Sequence, residues 1–328
     1  MLKTKWGRLL ATVLLAAATC AILLTAHANG DGFIRYAEFN VPYAALDRAL
    51  RDDIAYQGEV SWVDVLSLLA AKYGGEWKRY KPADMDALLE RLHGGESVES
   101  AAEGMQYFGY FRQVYGAVLD GFAGWHLQEL EDDRWEVRYG LTAFSPLAEG
   151  YWYTHFNDFG ASRSYGYRRR HLGHDMMGSV GTPVIAVETG TVEAMGWNQY
   201  GGWRIGIRSL DGRRYYYYAH LRKDHPFAAG LAEGQRVTAG DVIGYLGQTG
   251  YSHTENVNGI ETPHLHYGLE LVFDESQKES DNEIWVDLYA ITRLLERHRA
   301  TVRPEGKEYV REYGFLLFSP SESPAAAG

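Results

Sequence analysis

Five residues could do chemistry together: His171, Asp175, His220, His264 and His266. Imidazole nitrogen and carboxylate oxygen are the donors that zinc prefers, and a catalytic site uses three of them, leaving one position for water. His171 and Asp175 stand four apart in His171-Leu-Gly-His-Asp175, so in a strand or a tight bend they can reach one ion, with Gly173 allowing close approach. His264 and His266 are two apart and share one face of a strand; one can ligate while the other faces the reacting carbonyl. His220, at the end of Arg214-Tyr-Tyr-Tyr-Tyr-Ala-His220, can complete the pocket. His174, His225 and His253 lack such a pattern, and lone His93 and His126 read as packing or surface residues.

The elements that must position these residues are strands. From Pro183 the apolar residues alternate, in Pro183–Val187, Thr191–Met195, Trp203–Arg208, Arg214–His220, Val242–Leu246 and His266–Phe273, separated by glycine turns. Close spacing without intervening helices predicts an antiparallel sheet. The tyrosine run 215–218 could stack sugars, but its alternating faces favour the core. Before it, the chain from Gly32 to about Tyr139 reads as mostly helical: Leu46, Leu50 and Ile54 at helical spacing, a Ser61-capped segment to Tyr73, another opened by Pro82, and a Tyr/Phe-rich stretch from Val98 to Leu119. Leu141 to Tyr167 reads as a connector, and Glu283 to Thr301 as one amphipathic helix. The tail from Ser319 is rich in Ser, Pro and Ala.

A net charge of −11 argues against a nucleic-acid binder that relies on a basic footprint. Lys3, Lys5 and Arg8, the uncharged run Leu9–Thr25 and Ala26-His-Ala28 make the pattern of a secretory signal, with an uncleaved membrane anchor as the alternative. Either places the rest of the chain outside the cytoplasmic membrane. The lone cysteine, Cys20, falls in that run, so the remainder has no disulfide to form.

The segment from about Asp158 to Phe273 resembles the LytM/lysostaphin-type (β-lytic) zinc metallopeptidases, endopeptidases of peptidoglycan. The resemblance rests on an ordered set: His171-x-Gly-x-Asp175, Gly181-Thr-Pro-Val-x-Ala186, Gly190-Thr-Val192, Tyr218-Ala-His220-Leu, Gly234-x-x-Val-x-x-Gly240-x-x-Ile-Gly244, Gly247-Gln-Thr-Gly250 and Pro263-His264-Leu-His266. It implies that His171, Asp175 and His266 ligate one zinc ion and that His220 and His264 form the catalytic pair. The implied fold is α+β: a helical N-terminal region, an antiparallel sheet-rich domain of the duplicated-hybrid-motif type, and a C-terminal helix. The expected division is a signal at 1–28, a helical accessory domain or prosegment at 29–140, the metallopeptidase domain at 141–275, and a helix with a loose tail at 276–328. The implied substrates are wall peptides, and the implied place is the cell envelope or beyond. The stretch Tyr251–Thr262 is longer than the family usually has, and lies where it could reshape the cleft. A silent binding or scaffolding module of the same fold is the alternative from another class. A zinc carboxypeptidase acting on stem peptides is a further one, although its usual His-to-Asp spacing is wider.

Overall fold

The computed structural model describes residue 34 and residues 36–318, apart from 166 and 279. The candidate signal or anchor, Cys20 and the tail from Ser319 lie outside the described residues. Among the described residues no helix is long and apolar enough to cross a membrane. The helices are α1 (Tyr43–Ala55), α2 (Trp62–Tyr73), α3 (Pro82–His93), α4 (Val98–Ala101), α5 (Phe108–Leu119) and α6 (Tyr289–Leu295). The strands are β1 (Ala123–Glu129), β2 (Trp135–Leu141), β3 (Tyr153–Phe156), β4 (Ser162–Tyr165), β5 (Tyr167–Arg170), β6 (His174–Gly178), β7 (Pro183–Ile185), β8 (Gly190–Asn198) and β9 (Gly202–Ser209). They continue with β10 (Arg214–Ala219), β11 (Arg236–Val237), β12 (Val242–Tyr245), β13 (His264–Leu271), β14 (Ile284–Trp285), β15 (Val302–Glu305), β16 (Glu308–Arg311) and β17 (Phe315–Leu317).

Two compact units emerge, and the larger, Glu38–Leu271 with Trp285–Gly328, holds α1–α6 and the sheet. In the smaller, Gln277 donates to Ile34 O at 2.7 Å and accepts from the amides of Phe273 and Asp274.

Local chemistry explains the helices. Ser61 Oγ accepts from the Val63 amide to start α2, which stops at Gly74 in the left-handed region. Pro82 opens α3, whose Met85, Leu88, Leu89 and Leu92 are buried. The Val98–Leu119 stretch is two helices, α4 and α5, separated by a turn in which Gly104 has φ of 75°. The helical reading ends too late: β1 and β2 form a hairpin, and β17 adds to its other side. Trp135-Glu-Val-Arg-Tyr139 alternates with period two, and that local pattern prevails over the helical trend before it. The 141–167 connector contains β3 and most of the β4–β5 hairpin. The expected helix over 283–301 shrinks to Tyr289–Leu295, because β-branched Ile284 and Val286 favour extended chain and Asp287 Oδ1 accepts from the Tyr289 amide at its start.

The main sheet runs β11-β8-β9-β10-β13-β6-β3, antiparallel throughout. On one face of its centre lie Tyr216, Tyr218, Leu265, Tyr267 and Leu269, all buried. Burial extends to a charged pair: Arg214 Nε and Nη2 donate to the two Glu188 carboxylate oxygens at 2.8 and 2.9 Å, Arg214 Nη1 donates to Ala117 O, and Tyr216 donates to Glu188. The tyrosine run is thus core for Tyr215, Tyr216 and Tyr218, with Tyr217 half-buried on the other face.

Candidate metal centre

The site begins as a pair of facing residues on adjacent strands. The β13–β6 register sets His266 opposite Asp175 and His264 opposite Met177. Period two therefore puts His264, His266 and Asp175 on one face and Leu265, Tyr267 and His174 on the other. His171 arrives from the end of the β4–β5 hairpin, held by His171 N donating to Ala161 O and Gly160 N donating to His171 O, both at 2.8 Å. A bend at Gly173 then brings the chain into β6.

Three donor atoms converge. His171 Nε2 lies 3.0 Å from Asp175 Oδ1 and 3.0 Å from His266 Nδ1, and His266 Nδ1 lies 2.9 Å from Asp175 Oδ1. A neutral imidazole has one N–H, so protons alone satisfy this triangle poorly. Two imidazole nitrogens and a carboxylate oxygen turned on one point are a donor set for zinc. Asp158 Oδ1 sits 2.8 Å from His171 Nδ1, a charge contact behind the imidazole whose angle falls short of a hydrogen bond. Arg163 contacts Asp158 and lies 3.4 Å from Asp175 Oδ2, the oxygen outside the triangle. Burial pushes the Asp175 carboxyl up, but His171 and His266 outweigh it and hold the group well below the ordinary carboxylate range.

Two further imidazoles flank the triangle. His220 Nδ1 lies 2.9 Å from Thr249 O, and His264 Nδ1 lies 2.8 Å from Thr262 O. A carbonyl can only accept, so each Nδ1 carries the proton and each neutral ring presents a lone pair at Nε2. His264 Nε2 is 3.8 Å from Asp175 Oδ1, and the His220 and His264 ring centroids are 4.8 Å apart. His220 adopts φ of 60°, left-handed for a residue with a Cβ, while its amide donates to Gly201 O at 2.7 Å. That conformation costs about 1–2 kcal/mol and turns the ring out of the line of β10 toward the site. Burial, then the neighbouring His264 and His266, depress the His220 pKa well below its usual range.

Residues 169–280 match the profile of peptidase family M23. The chain carries an M23 peptidase domain. The L-Ala--D-Glu endopeptidase of Bacillus subtilis (strain 168) is 40% identical over 147 residues, 44% of this chain and 41% of that protein. The glycyl-glycine endopeptidase ALE-1 of Staphylococcus capitis is 40% identical over 98 residues, 30% of this chain and 24% of that protein. This chain therefore spans less than half the length of either relative. Among solved structures, a LytM from Ruminococcus gnavus ATCC 29149 matches with TM-score 0.53 at 25% identity, covering 81% of this chain and 92% of that one. That likeness reaches well beyond the M23 segment into the flanking elements.

All five sequence-predicted residues of the M23 domain come together. His174 does not join them: it is buried on the core face, 2.7 Å from His155, which also contacts Glu296, and burial followed by the His155 charge pushes it down to about 3. His126 packs against Phe315, His93 pairs with Asp52, His225 stacks on Tyr245, and His253 is exposed. Asp158 and Arg163 were not singled out from the sequence. Twelve residues part Asp158 from His171, no ligand spacing marks it, and only the folding back of β4 on β5 brings the two together.

Gly173 has a specific duty. A Cβ there would meet His266 Cε1 and Nε2 at 2.5 Å and Tyr267 O at 3.0 Å. Gly173→Ala is thus expected to push the His266 ring off the triangle and weaken metal binding by ~10–100-fold, the range seen when a ligand loses its support. Zinc titration of the variant checks this; wild-type affinity would mean that the ring position is unimportant.

Proposed function

We propose that this chain is an exported, zinc-dependent metalloendopeptidase that hydrolyses peptide bonds in the stem or cross-bridge peptides of peptidoglycan during wall remodelling. The observation that carries the reading is the triangle of His171, Asp175 and His266 with the Nε2 lone pairs of His220 and His264 beside it. The names of the M23 relatives support the substrate class, and the secretory pattern at residues 1–28 supports export to the cell envelope. One zinc ion per chain, held by His171, Asp175 and His266, would supply Lewis acidity toward water and the scissile carbonyl.

The remaining chemistry belongs to side chains. His264 takes the proton of the attacking water at Nε2 and returns it to the leaving amine. Its Nδ1–H bond to Thr262 O fixes that tautomer. His220 faces the oxyanion and stabilises it on gaining a proton at Nε2, which burial and the neighbouring imidazoles oppose and the developing negative charge favours; Thr249 O shares the resulting charge through Nδ1. The exchange of these two roles is separated by glutamine. His264→Gln is expected to abolish turnover, since an amide is no base. His220→Gln keeps an N–H donor and is expected to retain more activity than His220→Ala, within the ~100–1,000-fold span of one oxyanion donor. The reverse ranking would exchange the roles.

Zinc analysis of the purified protein, then digestion of defined muropeptides with identification of the fragments, tests the whole reading. Internal cleavage supports an endopeptidase; release of terminal residues alone would replace it by a carboxypeptidase; no cleavage by zinc-loaded protein would leave a binding module. The N-terminal region is proposed as an accessory domain that covers the cleft or targets the chain.

A further inference from the structure

Arg163, on β4, joins two carboxylates beside the metal triangle. Its Nη2 contacts Asp158 Oδ2 and lies 3.4 Å from Asp175 Oδ2. The two oxygens of Asp175 therefore face different neighbours. Oδ1 belongs to the triangle, 3.0 Å from His171 Nε2 and 2.9 Å from His266 Nδ1, while Oδ2 faces the guanidinium. The chain is shaped to keep Arg163 there. Ala161 N donates to Asp158 O at 3.0 Å, closing a turn in which Gly160 has φ of 77°. Gly160 N and Ala161 O then clamp the backbone of His171, and the β4–β5 pairing continues from that clamp with Ser162 opposite Arg170 and Arg163 opposite Arg169. One hairpin thus delivers an imidazole of the triangle from one strand and the guanidinium from the other.

A carboxylate can hold a cation through one oxygen or through both. Beside two imidazoles, a second Asp175 oxygen would take the place that a catalytic zinc site leaves for water. A guanidinium is always protonated and only donates, so it engages an oxygen without becoming a ligand itself. Its charge acts in the other direction on affinity: it offsets one of the two carboxylates, Asp158 and Asp175, and so weakens their pull on any cation. A residue that merely supported the site would weaken metal binding when lost. Losing Arg163 frees an oxygen and removes a repelling charge, so the metal should bind no less tightly, in a more crowded shell.

We propose that Arg163 is a positioning residue that restricts Asp175 to one oxygen in the metal triangle, so that the open place goes to water. This rests on the metallopeptidase reading above. The test loads the full-length protein with cobalt(II) in place of zinc, because four-coordinate cobalt absorbs visible light far more strongly than five- or six-coordinate cobalt. Wild type is expected to show the strong band. Arg163→Met should still take up cobalt, at an affinity equal to or above that of wild type, yet lose most of the band while its circular dichroism is unchanged. Its preference for cadmium, which accepts more ligands, over zinc should rise by about ten-fold, the lower end of what an outer-shell partner is worth. Arg163→Lys keeps a cationic donor and should recover much of the band. A weak band in wild type, an unchanged band in Arg163→Met, or weaker metal binding by Arg163→Met would overturn the assignment. If wild type takes up neither zinc nor cobalt, the metal centre itself falls, and the assignment with it.

Discussion

Replacing His171 with alanine is expected to bring hydrolysis of peptidoglycan down to the background of the zinc-free chain. His171 Nε2 is one corner of a triangle whose other corners are 3.0 Å away, and the chain offers no fourth donor at that distance among the described residues. Removing it leaves two ligands, below the three of a catalytic zinc site. A chelator should have the same effect on wild type, with recovery on adding zinc back, and no recovery in the variant. Circular dichroism without zinc should stay close to wild type, because the ring sits at the end of a hairpin outside the apolar core, although it is itself buried. Turnover that survives in His171→Ala would sink the proposed enzyme.

The largest effect on stability is expected far from that site. Glu188→Ala would leave the buried Arg214 guanidinium with Asp211 and Ala117 O alone, without the bidentate carboxylate whose oxygens now lie at 2.8 and 2.9 Å. Breaking a buried pair from one side costs ~3–5 kcal/mol. Urea unfolding would measure it, and a loss under about 1 kcal/mol, the value of an exposed pair, would refute the argument. Arg214 also donates to Ala117 O, the backbone of α5. A chain truncated at Leu141 would lose that acceptor, so latency imposed by the helical region is better tested by a protease nick or by point changes than by deletion.

The sheet and its site were legible in the sequence for a common reason. A strand exposes its pattern at period two, and the residues of interest stood at intervals of two and four. His264 and His266 on one face, and His174 opposite to Asp175 on its own strand, follow from that interval; which faces coincide is set by the β13–β6 register. What escaped was whatever depends on chain reversal. Asp158 and Arg163 reach the site only because β4 folds back on β5, and β17 joins β1 from more than half the chain away. No spacing rule carries such information. The short strands β15–β17 were hidden for a different reason: three or four residues are too few for a period to declare itself. The left-handed φ of His220 had no signal at all, since glycine was not there to mark it.

The stretch between Gly250 and Pro263 is closed at its own base. Gln248 donates to Ile260 O and Glu261 O at 3.1 and 2.8 Å, Ile260 N donates to Gln248 O, and Pro263 O accepts from the Gly178 amide where β13 begins. Thr249, fully buried, is bound to Trp203 N and Leu221 O. Both ends are thus anchored to the sheet independently of what lies between them. The wall of the cleft can therefore lengthen, shorten or be exchanged over evolutionary time without shifting the strand on which His264 and His266 ride. Such a molecule would be free to explore new diets while keeping one set of teeth.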